Sequence, residues 1–120
     1  MNEEKSSLAV AHIQSALLSE AVRSAEVGFV VWDEDRRYVA ANPAACTLLA
    51  CTLDELIGAS VGDRTEGGLA VVEQVVRDSG GSGQLTITRF DGRKLRVGYV
   101  SFQTRIAGVP YMGSIIWPAD

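Results

Sequence analysis

Few side chains in this sequence have the type and spacing that chemistry requires. His12 is the only histidine. Its neighbours Ala11 and Ile13 offer no second ligand, so a metal site has nothing to build on, and no Ser-His-Asp set can be assembled around it. No glycine loop follows the P-loop pattern that cradles phosphate. Cys46 and Cys51 would lie roughly 140° apart on a continued helix, too far round to face each other. With no basic neighbour to lower a thiol pKa, they read as small buried hydrophobes rather than as a disulfide or a redox pair. Asp54 with Glu55, and Asp33 with Asp35, are paired carboxylates of the kind acid–base catalysis uses. A structural role explains both better: the first pair sits at a helix start, where it meets a favourable dipole, and the second in a turn, where it bonds backbone N–H groups. The chain therefore reads as a non-enzyme without a metal.

Charge narrows the partners. The formal net charge is −4, which disfavours nucleic-acid binding, since affinity for phosphate backbones comes mainly from Lys and Arg releasing counterions. Arg89, Arg93, Lys94 and Arg96 do cluster around one hairpin, but a charged hairpin tip is ordinarily solvated. At 120 residues and 47% hydrophobic content the chain makes one domain, able to bury roughly two thirds of its unfolded surface. No apolar run approaches the ~18 residues of a membrane span. The Met-Asn-Glu-Glu-Lys opening lacks the basic head and apolar centre of a secretion signal, so the expected location is cytoplasmic.

The elements that must position these residues can be read in order. Residues 3–25 have helical periodicity, with Leu8, Val10, Ile13, Leu17, Leu18, Ala21 and Val22 over a wide apolar face. Val10, Ile13, Leu17 and Ala21 follow coiled-coil-like spacing and predict a homodimer seam; Leu8, Leu18 and Val22 face a direction from which they could cover the domain's own sheet. Strands are predicted at 28–33 and 36–41, joined by the polar Asp33-Glu34-Asp35 turn. After an irregular polar stretch at 59–68, Leu69, Val72, Val75 and Val76 space a helix to about residue 78. Ser79-Gly80-Gly81-Ser82-Gly83 is read as a flexible connector. Strands follow at 84–90, 93–106 and 111–117, with an Asp91-Gly92 turn between the first two and Gly98 marking a bulge or a close approach by another backbone.

Between these halves lies the most informative segment, Asn42 to Gly58. Asn42 can cap a helix whose first residue is Pro43, where a missing N–H costs nothing. Thr52 and Glu55 have capping-box spacing for a second short helix, which Gly58 ends by accepting a left-handed conformation. The block Asn-Pro-Ala-Ala … Asp-Glu-Leu-Ile-Gly resembles the centre of a PAS domain. The resemblance extends from Gly28, through the Phe29 to Asp35 strand end, to the Phe90-Asp91-Gly92 turn and the closing strand at Tyr111 to Trp117, about three quarters of the chain.

The resemblance implies an α+β fold: a five-stranded antiparallel sheet of order 2-1-5-4-3 with helices on one face. Residues 1–25 would add an N-terminal amphipathic helix for dimerisation or capping, and 26–120 would be the PAS domain. Such folds often hold a cofactor or metabolite in a small cavity. Candidate lining residues are Val31, Leu48, Leu49, Leu56, Val72, Val76, Ile87 and Val100, apolar positions on the elements that flank it. The cofactor is unknown. Haem is disfavoured because the helix near 69–78 has no histidine. Flavin photochemistry is disfavoured because Ala59-Ser60-Val61-Gly62-Asp63-Arg64 stands where light-sensing members carry Asn-Cys-Arg-Phe-Leu-Gln.

The expected function is a sensory, signal-transducing and dimerising module. It would bind a small apolar ligand or a protein partner and regulate an output outside these residues, transcription regulation among the classes. An alternative is a ligand-free structural dimerisation module, whose cavity would be filled by side chains. A small α+β enzyme would instead show a polar pocket with Asp or Arg groups of shifted pKa.

Overall fold

The computed structural model describes residues 3–119, with side chains described from Ala11 onward. Helix α1 (Glu3–Ser24) precedes strands β1 (Gly28–Trp32) and β2 (Tyr38–Ala41). Helices α2 (Pro43–Leu49), α3 (Leu53–Leu56), α4 (Val61–Arg64) and α5 (Leu69–Arg77) follow, and strands β3 (Gly80–Thr88), β4 (Lys94–Ile106) and β5 (Val109–Pro118) close the chain. The strands form one antiparallel sheet of order β2-β1-β5-β4-β3, the order the resemblance implied.

Local chemistry sets the helices in the middle of the chain. Asn42 caps α2 by accepting from the Ala45 N–H, with Pro43 at the first helical position. Thr52 and Glu55 complete a reciprocal capping box on α3. Gly58 takes a φ of 88° just beyond it, which an L side chain would resist. Leu49, Leu56 and Val97 are the largest fully buried side chains and tie these helices to the sheet.

Three expectations change. The stretch at 59–68 is not wholly irregular, for Val61 to Arg64 makes one helical turn and buries Val61. The glycine and serine run is not a connector: from Gly80 onward it is the first half of β3, paired through Gly80↔Phe102 and Gly81↔Ser101. A Cβ on Gly80, whose φ is 111°, would strike the Ser101 carbonyl. Glycine there permits a close strand approach, and the length of β4 supplies partners that local propensity does not reveal. Gly98 is regularly paired, and what lies over it is the Trp117 side chain rather than a backbone.

Helix α1, about 33 Å long at its 22 residues, stands off the rest of the chain. Ile13, Leu17 and Leu18 are all more than half exposed, so the reading that Leu18 covers the domain's own sheet is corrected. The chain turns at Ala25 and Glu26 into β1, and only the last turns of α1 lie near α2.

Candidate functional site

Packing α2, α4 and α5 over the inner sheet face leaves a partly open, largely apolar cavity of about 60 Å³. Its walls come from β1 (Val30, Trp32), β3 (Leu85, Ile87), β4 (Val97, Tyr99, Ser101) and β5 (Ser114, Ile116), with Leu49, Val72 and Val75 above them. Of the residues expected from sequence, Leu49, Val72 and Ile87 line it. Leu56 is buried in the core beside it, and Leu48 and Val76 pack partly buried against that core.

Val31 and Val100 are corrected outright. Side chains alternate along a strand, and β1 turns Val30 and Trp32 inward, which leaves Val31 on the other face. On β4 the inward set is Val97, Tyr99 and Ser101, so Val100 points outward and is 39% exposed. It joins Phe102 on an outer sheet face where the Phe102 ring covers Gly113.

The polar lining was missed from sequence. Ser101 Oγ and Ser114 Oγ are 2.7 Å apart, a cross-strand pair, and Trp32 Nε1–H points at Ser114 Oγ from 3.4 Å. The alternation of Val97, Tyr99 and Ser101 was the available signal, but it needed a fixed strand parity to be used. Tyr38 also lines the cavity, and burial raises its phenol pKa strongly, opposed in part by the Arg64 guanidinium. The phenol therefore stays protonated throughout the neutral range. Arg64 lies over the Phe90 ring at 4.4 Å, and its Nε is buried without a hydrogen-bond partner.

At about 60 Å³ the cavity is several-fold below the ~300 Å³ at which pockets for drug-sized ligands begin. A flavin or a haem does not fit it as it stands. His12, the only histidine, is exposed on α1 and not among the lining residues.

Cys46 and Cys51 come closer than a continued helix would allow. Ala50 adopts a left-handed conformation (φ 58°, ψ 48°) that folds the chain back, so the Cys51 N–H donates to the Cys46 carbonyl at 3.0 Å. Both thiols are free. Burial first, then the neighbouring Cys46 and Glu55, push the Cys51 pKa up to about 11. A raised thiol pKa means less thiolate at any pH below it. Cys51 should therefore react with iodoacetamide at pH 8 about 100-fold more slowly than an ordinary thiol, and speed up only as the pH climbs toward 11. Peptide mass spectrometry over that pH range would check it, and rapid labelling at pH 8 would contradict it.

Two polar connections tie the surrounding elements together. Arg36 Nε and Nη2 grip Glu73 at 2.8 and 3.1 Å, fastening the β1–β2 turn to α5. That grip holds the Glu73 pKa below its ordinary value. Asn42 is the second connection: its Oδ1 accepts from the Phe29 and Ala45 N–H groups, and its Nδ2 donates to the Val22 and Val27 carbonyls. One buried amide thus joins α1, β1 and α2.

Of the residues expected from sequence at a dimer seam, Ile13, Leu17 and Ala21 are exposed on α1; the Val10 side chain lies outside the described residues. Among the described residues no group of three or more His, Cys, Asp or Glu could hold a metal ion, and no helix is long and apolar enough to cross a membrane.

Comparison with known proteins agrees with this geometry. A family model described as PAS fold matches residues 16–109. A PAS domain from a two-component sensor histidine kinase is similar with a TM-score of 0.79 at 10% identity, over 91% of this chain and 99% of that one. The PAS domain of an HTR-like protein from Haloarcula marismortui gives a TM-score of 0.79 at 18% identity, over 96% and 99% of the two chains. The PAS domain of nitrogen regulation protein NR(II) from Vibrio parahaemolyticus gives 0.73 at 17% identity, over 86% and 98%. None of the curated proteins matches the sequence.

Proposed function

Since the chain belongs to the PAS family, we propose that it is a sensory and dimerisation module, regulatory rather than catalytic, whose output lies in another domain or partner. Residues 1–25 act as the dimerisation helix and 26–120 as the PAS domain. The observation that carries the reading is the state of α1. Its apolar residues Ile13, Leu17 and Leu18 are left exposed by the rest of the chain, and apolar surface concentrated on one projecting element marks an interaction site.

Asn42 supports a route between the two parts. It bonds the Val22 carbonyl in the last turns of α1 and caps α2, which carries Leu49 into the cavity wall. A change in how the cavity is filled would shift α2 and, through Asn42, the root of α1. The second reading, a ligand-free dimerisation module, is favoured by the small cavity volume. Native mass spectrometry of the protein purified from its own host addresses both. A dimer mass with an added small mass supports the sensory reading, a bare dimer supports the structural one, and a bare monomer contradicts both.

A further inference from the structure

Helix α2 ends in a Schellman motif, and the two positions that such a motif brings into contact are both cysteine. Ala50 is its left-handed residue (φ 58°, ψ 48°). The Ala50 N–H donates to the Thr47 carbonyl at 3.2 Å and the Cys51 N–H to the Cys46 carbonyl at 3.0 Å, the pair of bonds that defines the motif. In that geometry the side chain just past the left-handed residue packs on the one at the start of the last turn, here Cys51 on Cys46. Both are half-buried against the same core, and both thiols are free. The backbone bond also limits their separation. From the Cys46 Cα through its carbonyl oxygen and across the 3.0 Å hydrogen bond to the Cys51 Cα, ordinary bond lengths span no more than about 7 Å at full stretch. Disulfides join Cα atoms about 4.4–6.8 Å apart, so the spacing suits a bond between them. The Cys51 thiol also feels Cys46 through charge and through a side-chain hydrogen bond, which agrees with two thiols in contact.

We propose that Cys46 and Cys51 are a reversible disulfide site, closed by exchange with a small disulfide and opened by a small thiol. The Cys46 thiolate attacks one sulfur of the small disulfide, which forms a mixed disulfide and releases one thiol. The Cys51 sulfur then attacks the Cys46 sulfur, its proton passes to solvent, and the second thiol leaves. Two electrons and two protons go from the pair to the small disulfide, which becomes two thiols. Cys51, with its raised pKa, is the later attacker: its thiolate fraction is small, but its target is held beside it. The ring so closed contains Leu49, which lines the cavity, and Ala50, whose left-handed conformation residues with a Cβ avoid. The bond therefore secures α2 where local preference secures it least. The inference stands apart from the sensory reading, since it needs neither a ligand nor a dimer.

Glutathione disulfide is the probe, applied in excess at pH 8 to the full chain purified in reductant, until the free-thiol count is constant. The intact mass should fall by two hydrogens with no glutathione retained, and dithiothreitol should restore it. Chymotrypsin, cutting after Leu48 or Leu49, should then release two peptides joined through Cys46 and Cys51. Cys46→Ser and Cys51→Ser should each lose that mass change and carry one glutathione instead. In the oxidised parent, the Ala50 and Cys51 amides should exchange their hydrogens about tenfold more slowly or slower still. Unchanged or faster exchange would show that the bond does not close across the intact cap and would overturn the proposal. Glutathione held on both cysteines, a bond between two chains, or no reaction under an excess that links the urea-unfolded chain would each overturn it too.

Discussion

Replacing Asn42 with alanine is expected to lower the unfolding free energy by about 3–5 kcal/mol, near the upper end of single substitutions. The cap of α2 alone would account for about 1 kcal/mol. The larger figure follows from what else the amide holds. At 5% exposure it accepts from Phe29 N–H at 2.8 Å and Ala45 N–H at 3.0 Å, and donates to Val22 O at 2.7 Å and Val27 O at 3.0 Å. Alanine leaves two donors and the Val27 carbonyl in or near the interior without the partner they have now, while the Val22 carbonyl keeps only the Ala25 N–H at 3.4 Å. Asn42→Asp separates the functions, since it keeps an oxygen for Phe29 and Ala45 but sets a second oxygen against the Val22 and Val27 carbonyls. It should retain the α2 cap while releasing the root of α1. Urea denaturation monitored by tryptophan fluorescence measures both variants. A loss of no more than about 1 kcal/mol for alanine would reduce Asn42 to a helix cap and remove the proposed route from cavity to α1.

Leu17→Glu should raise the dimer dissociation constant by more than 100-fold, about 3 kcal/mol or more, if its carboxylate becomes buried and unpaired in the seam. Leu17 is 63% exposed within one chain, so the substitution does not disturb the protomer's own core. Loss of association should therefore come without loss of the protomer's own stability, compared at a concentration low enough for both chains to be monomeric, and that separation is what gives the test its force. Sedimentation velocity of parent and variant across a concentration series, beside their urea curves, gives both quantities. A parent that is monomeric at high micromolar concentration, or a variant that dimerises as the parent does, would show that α1 is not the seam. A variant whose monomer is less stable than the parent's would show that Leu17 also serves the protomer's own fold.

The middle of the chain was legible because the interactions there are local. An N-cap, a capping box and a helix-ending glycine each act across three or four residues, so Asn42, Thr52, Glu55 and Gly58 could be assigned from spacing alone, and the structure has each in that place. The element order that gives the antiparallel sheet was legible for the same reason: turn chemistry at Asp33 to Asp35 and at Asp91-Gly92 is written in adjacent residues.

What the tertiary structure alone decided is facing and distance. A strand's two faces differ by one residue, so nothing local told Val30 from Val31 or Ser101 from Val100, and the sheet register settled both. Pairing along β4 made a strand of a glycine and serine run that composition reads as loose, because ladder partners far away in sequence outweighed weak local propensity. The left-handed turn at Ala50 brought Cys51 back onto Cys46. The cavity's contents follow the same rule, since Trp32, Tyr38, Ser101 and Ser114 are brought together only by the closing of four strands under the helices. Capping and turn energies reach one helical turn, and so the sequence alone determined the capped helices and the tight turns; facing and polar matching depend on packing between segments as distant as Trp32 and Ser114, 82 residues apart, and those only the folded sheet could fix.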